Sequence, residues 1–154
     1  MYVFGVDPLN IRPYNWLEVI RADDYDKVRL TTAVSRTCGA SQENYIFFGV
    51  NYRELNANSA NFFAVKRQYS TGFRCRYANF GYFETDAERA LSAVVEAKAP
   101  YFITVAPDKQ YPRPNIINTV SRRVAELIAN DTRFALEFES PDGLLIYRPQ
   151  TRPN

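Results

Sequence analysis

Two short, largely apolar runs, Tyr45–Val50 (YIFFGV) and Tyr101–Val105 (YFITV), constrain the fold of this chain more than any other feature. Each is bounded by polar residues and sits between stretches with helical spacing. A strand that does not alternate apolar with polar residues must be covered on both faces, as a central strand of a parallel sheet flanked by helices is.

The other segments fit around these strands. Asp23 or Asp24 supplies a helix N-cap, and Tyr25, Val28, Thr32, Ser35 and Cys38 share one helical face until Gly39; the β-rich string VRLTTAV offers a strand as the alternative. Asn56 or Asn58 caps a second helix that runs through Phe62, Phe63 and Lys66 towards Tyr69 and ends at Gly72. In Phe73–Tyr77, Phe73, Cys75 and Tyr77 alternate with Arg74 and Arg76, as in a half-exposed strand. Thr85 and Glu88 form a capping box for a third helix, with Ala87, Leu91, Val94 and Val95 at helical spacing and Pro100 at its end. Asn115 opens a fourth, striped by Ile117, Val120, Val124, Leu127 and Ile128. Finally Phe134, Leu136 and Phe138 alternate, Ser140–Gly143 supply a turn, and Leu144–Tyr147 pair back. This order predicts right-handed crossovers and an α/β fold: a three-layer sandwich with a mostly parallel sheet and a C-terminal β-hairpin. A single domain is expected over residues 23–149, after an irregular arm at 1–22 that carries Pro8, Pro13 and Trp16, and before a tail at 150–154.

At 154 residues the chain has the size of one domain. Histidine is absent, which excludes a Ser-His-Asp triad, a Cys-His dyad and an HExxH zinc site. The net charge is +2, with no basic block longer than Arg122–Arg123, so a polyanion-binding stripe and nucleic-acid binding are not expected. No run of about twenty apolar residues spans a membrane, and the opening MYVFGVDPLN lacks the basic region and long apolar core of a targeting signal. Its abrupt apolar start fits a domain cut from a longer protein.

Asp23, Asp24 and Asp26 lack the spacing and glycine of a calcium loop and are better read as a helix start, where carboxylates complement the dipole; Glu84, Asp86 and Glu88 have the same reading. No catalytic residue, metal ligand or cofactor site is assigned. The connection after the first strand, NYRELNANSAN, has no glycine-rich phosphate turn. Open α/β sheets nonetheless bind ligands beyond the carboxyl ends of their strands. Asn51, Tyr52, Arg53 and Asn56, with Asp108, Lys109 and Tyr111, are therefore candidate contacts, against the plainer reading of solvated loop residues. Cys38 and Cys75 are too far apart in sequence for a CxxC motif. Bridged, they would close a loop of about 38 residues and stabilise the fold by roughly 4 kcal/mol, favouring an oxidising compartment; two buried thiols are the alternative.

The strand NYIFFGV followed by RELNANSANFFAVKRQY, the helix-to-strand unit ERALSAVVEAKAPYFITV and the closing RFALEFESPDGLLIYRP occur in a suggestive order. Together they resemble the soluble periplasmic C-terminal domain of bacterial membrane glycosyltransferases related to protein O-mannosyltransferases and the aminoarabinose transferase of lipid A. The resemblance spans roughly residues 24–149 and carries no functional residue onto this chain, because that family's catalytic carboxylates lie in its membrane part. It implies a periplasmic setting, in agreement with a Cys38–Cys75 bridge. It also implies an accessory, substrate-positioning role beside the membrane portion of the same polypeptide, with a glycan or lipid-linked sugar as the contact. A free-standing small-ligand-binding or regulatory α/β module is the alternative.

Overall fold

The computed structural model of the protein describes residues 16–39, 44–71, 75–80, 84–109 and 116–150. Its elements run α1 (Trp16–Thr37), β1 (Ile46–Phe48), α2 (Ala57–Thr71), β2 (Tyr77–Ala78), α3 (Ala87–Glu96), β3 (Phe102–Val105), α4 (Ile116–Ala129), β4 (Phe134–Glu139) and β5 (Leu144–Pro149). The expected alternation is the alternation of the fold. The strands form one five-stranded sheet in the order β2-β1-β3-β5-β4. Strand β1 pairs in parallel with both β2 and β3, and the hairpin joins the β3 side through antiparallel pairing of β5 with β3 and with β4. The sheet is thus mixed, with a parallel core and an antiparallel flank.

The apolar runs are continuous because each strand feeds two cores. Ile46 and Phe48 of β1, Ile103 and Val105 of β3, and Leu144 and Ile146 of β5 pack under α1 and α2 against Leu30, Ala33, Val34, Ala60 and Ala64. Phe47, Phe102, Leu145 and Tyr147 point to the opposite face, against Ala90, Leu91 and Val94 of α3 and Val120, Val124 and Ile128 of α4. Three layers result. The fit between neighbouring strands is tight at the end of β1, where a Cβ on Gly49 would lie 2.4 Å from Cζ of the buried Phe102 ring of β3.

Several local expectations are corrected. Helix α1 starts at Trp16, so residues 16–22 are helical rather than irregular, and the strand alternative for VRLTTAV is excluded. Its inward face is Asp26, Arg29, Leu30, Ala33, Val34 and Thr37, while Val28 is 59% exposed and Ser35 is exposed. Asp23, Asp24 and Asp26 therefore lie inside the helix and neither cap nor start it, and the apolar spacing missed the inward face because Asp26 and Arg29 are part of it. The cap of α3 is Asp86, whose carboxylate accepts from the N–H groups of Glu88 and Arg89, and not Thr85. Hydrogen bonds from Arg89, and then from the Asp86 N–H, pull the Glu84 carboxyl down to about 2, which holds this acidic cluster as a helix start. That helix ends at Glu96, before Pro100, with Lys98 at φ 48°.

Edge strand β2 is only Tyr77–Ala78, later than expected. Asn61 of α2 completes it: its amide donates to the Tyr77 carbonyl at 2.9 Å and accepts from the Tyr77 N–H at 2.8 Å, standing in for a further strand. Cys38 and Cys75 are disulfide-bonded, with Cα atoms 5.4 Å apart, joining the end of α1 to the entry of β2.

Candidate functional site

Parallel pairing of β1 with β3 brings the two loops suggested by the sequence to one end of the sheet. The chain leaves β1 towards α2 on one face and leaves β3 towards α4 on the other. Strand ends between which the connections part in this way are where open α/β sheets bind ligands. Val105 also pairs with Leu144, so the β4–β5 turn arrives at the same end, beside the loop after β3.

The turn is built locally. Gly143 N–H donates to the Ser140 carbonyl at 2.9 Å, Ser140 N–H to the Leu144 carbonyl at 3.0 Å, and Leu144 N–H to Ser140 Oγ at 2.9 Å. The Ser140 hydroxyl donates to Oδ1 of Asp142. Pro141 presets the second position and Gly143 takes φ +84°, which side chains disfavour. Helix α1 clamps this turn from beneath. Arg29 Nε donates to the Asp142 carbonyl at 3.1 Å and lies 3.4 Å from its carboxylate, while Nη2 reaches the same carbonyl. Nη1 binds Oδ1 of Asp26 at 3.1 Å. The Asp26 and Arg29 side chains are 1% and 5% exposed, so this is an ion pair held almost free of solvent.

Between the turn and the loop after β3 lies a cavity of about 320 Å³, lined by Ala106, Asp108, Lys109, Glu139, Ser140, Pro141 and Gly143. That is the lower end of the range for small-molecule sites. Its rim combines the Asp108 and Glu139 carboxylates, which can accept from a ligand rich in hydroxyl groups, with the Lys109 ammonium, which can donate to it, while the Ser140 hydroxyl holds the turn. Away from the cavity, where β5 pairs with the start of β3, burial in the α3/α4 core and, secondarily, Glu139 push the Tyr147 phenol up.

Of the candidate contacts, Asp108 and Lys109 line this cavity. Asn51 and Arg53 stand at the same sheet end without lining it. Tyr52 is 2% exposed and belongs to the α1/α2 core. The Asn56 side chain caps α2, accepting from Ser59 N–H at 2.8 Å and donating to the carbonyls of Tyr52 and Arg53. Tyr111 lies outside the described residues. Glu139 and Ser140 were not anticipated as site residues, since only the strand order places the hairpin turn beside β3.

The stem of Lys109 depends on Gly143, where a Cβ would lie 2.7 Å from Lys109 Cγ. Gly143→Ala is therefore expected to combine about 1–2 kcal/mol of left-handed backbone strain with displacement of Lys109. Denaturant unfolding measures the first effect. An amide chemical-shift change at Lys109 reports the second, and its absence would show that the packing adapts elsewhere.

No family model, no curated protein and no solved structure matches this chain.

Proposed function

We propose that the chain is an extracytoplasmic binding domain that positions a hydroxyl-rich acceptor or glycan for a membrane-embedded glycosyltransferase, the chemistry being done by the membrane portion. The observation that carries this reading is the cavity at the end of β3, where Asp108, Lys109, Glu139 and Ser140 converge over a turn fixed by Arg29. Carboxylates paired with an ammonium around a cavity of this size suit the alternating donors and acceptors of a sugar ring. Two further features support the setting: the disulfide, which persists in oxidising compartments, and the order of segments that resembles the periplasmic glycosyltransferase domains.

The test is a ligand panel read by two-dimensional NMR on the oxidised chain. Neutral mono- and oligosaccharides are expected to shift the amides of residues 106–109 and 139–143, and Glu139→Gln or Lys109→Met to abolish those shifts without lowering Tm. Shifts from nucleotides or amino acids alone would favour a free-standing small-ligand module. No response at this end of the sheet would remove the binding role. On this reading the gene product that contains this chain carries membrane-spanning helices; none of the helices among the described residues is long and apolar enough to cross a bilayer. A product lacking such helices overturns the glycosyltransferase part of the reading.

A further inference from the structure

Helix α2 is inverted with respect to the usual amphipathic pattern. Its inward residues are the small Ala57, Ala60 and Ala64, whereas Phe62, Phe63 and Val65 are 59%, 37% and 49% exposed. A helix lying on a sheet normally turns its large apolar residues inward. The other layer does so, since α3 buries Leu91 and Val94 and α4 buries Val120, Val124 and Ile128. On α2 the Phe62 and Phe63 rings meet edge to face with centroids 6.1 Å apart, and Lys66 Nζ lies 4.8 Å over the Phe62 ring. The sequence of the helix, ANSANFFAVKRQYST, contains Lys66 and Arg67 and no acidic residue. The α3/α4 layer instead carries both signs, with Arg89 on Glu84 and Arg123 on Glu126.

An exposed aromatic pair with the exposed Lys66 beside it, on a helix whose sequence has no acidic residue, is complementary to a surface that is apolar beneath and anionic above. An anionic bilayer has this layering: rings enter the interface while Lys and Arg meet the lipid phosphates. A second copy of the chain is a poorer fit, because a two-fold contact through this face would set cations against cations. We propose that the outer face of α2 docks the domain on the surface of an anionic phospholipid bilayer. This docking does not rest on what the cavity beside β3 binds.

Co-sedimentation of the oxidised full chain with lipid vesicles tests the proposal. The protein is expected to pellet with mixed phosphatidylglycerol–phosphatidylcholine vesicles, and to remain in solution with pure phosphatidylcholine or when salt is raised. Phe62→Ser and Lys66→Glu, both at exposed positions, are each expected to weaken partitioning about tenfold with Tm unchanged. Val65→Ser gives a second apolar probe, and Lys109→Met in the cavity is expected to partition like the unaltered chain. Failure to pellet, equal binding to neutral vesicles, or Phe62→Ser partitioning at the unaltered level overturns the proposal. A dimer in solution that Phe62→Ser dissociates, without vesicle binding, would instead assign the face to a second copy.

Discussion

Arg29→Met is expected to destabilise the domain by about 3–5 kcal/mol, a large share of the roughly 5–15 kcal/mol by which a domain is stable. Arg29 bridges the Asp26 carboxylate, 1% exposed, and both the carbonyl and the carboxylate of Asp142. Methionine fills much of the volume but donates to none of these oxygens, so the buried Asp26 carboxylate loses the Arg29 guanidinium and the Asp142 carbonyl loses its Arg29 donors. Replacing the pair together, as Asp26→Leu with Arg29→Met, is expected to recover most of the loss, because a buried pair exchanged for apolar residues is often neutral. Denaturant unfolding followed by circular dichroism measures both. A loss below about 1 kcal/mol for Arg29→Met, within the range of an exposed ion pair, would show that water reaches this cluster.

The same cluster marks the boundary of what the amino-acid sequence discloses. Element order was legible because two apolar runs demanded two-sided cover and because the turn Ser140-Pro141-Asp142-Gly143 names itself through proline and glycine chemistry. The inward face of α1 was not, since hydropathy sends Asp26 and Arg29 outward, whereas their ion pair and a carbonyl 113 residues away make their burial tolerable. Strand β4 misleads in a related way. Phe134, Leu136 and Phe138 suggest one face, but a register shift between Leu136 and Phe138 sends Phe134 to the α3/α4 core and Phe138 to the α1 side, under Arg36. Half of the candidate site was legible for a comparable reason. The rule that ligands gather at strand ends located Asp108 and Lys109, whereas Glu139 and Ser140 needed the position of β5 beside β3. Tyr52 and Asn56 lie at the right end of the sheet but are committed to the core and to a helix cap. Local hydrogen-bond demand outranks exposure there.

Breaking the Cys38–Cys75 bridge, by reductant or as the paired Cys38→Ser and Cys75→Ser change, is expected to cost about 4 kcal/mol and to lower Tm by roughly 10 °C. The separation of 37 residues encloses β1 and α2, so in the unfolded chain the bridge restrains one half of the α1/α2 layer. In the folded chain it secures the weakest element of the sheet. Among the described residues strand β2 has two residues and one strand neighbour, and the Asn61 amide and the contact of its Tyr77 hydroxyl with Thr37 at 3.0 Å add to its hold. Loss of the bridge should therefore be felt unevenly. Amide exchange at Tyr77 is expected to accelerate more than at Ile103, which lies between two paired strands and is 0% exposed. Because the cavity lies at the opposite end of the parallel strands, ligand-induced shifts at Lys109 are expected to survive reduction below the lowered Tm. A Tm that does not move once both thiols are shown to be free would mean that packing around Tyr77 already fixes this edge. Simultaneous loss of protection at Tyr77 and Ile103 would make the bridge a support of the whole sheet, with the cavity at the end of β3 then dependent on an oxidising compartment.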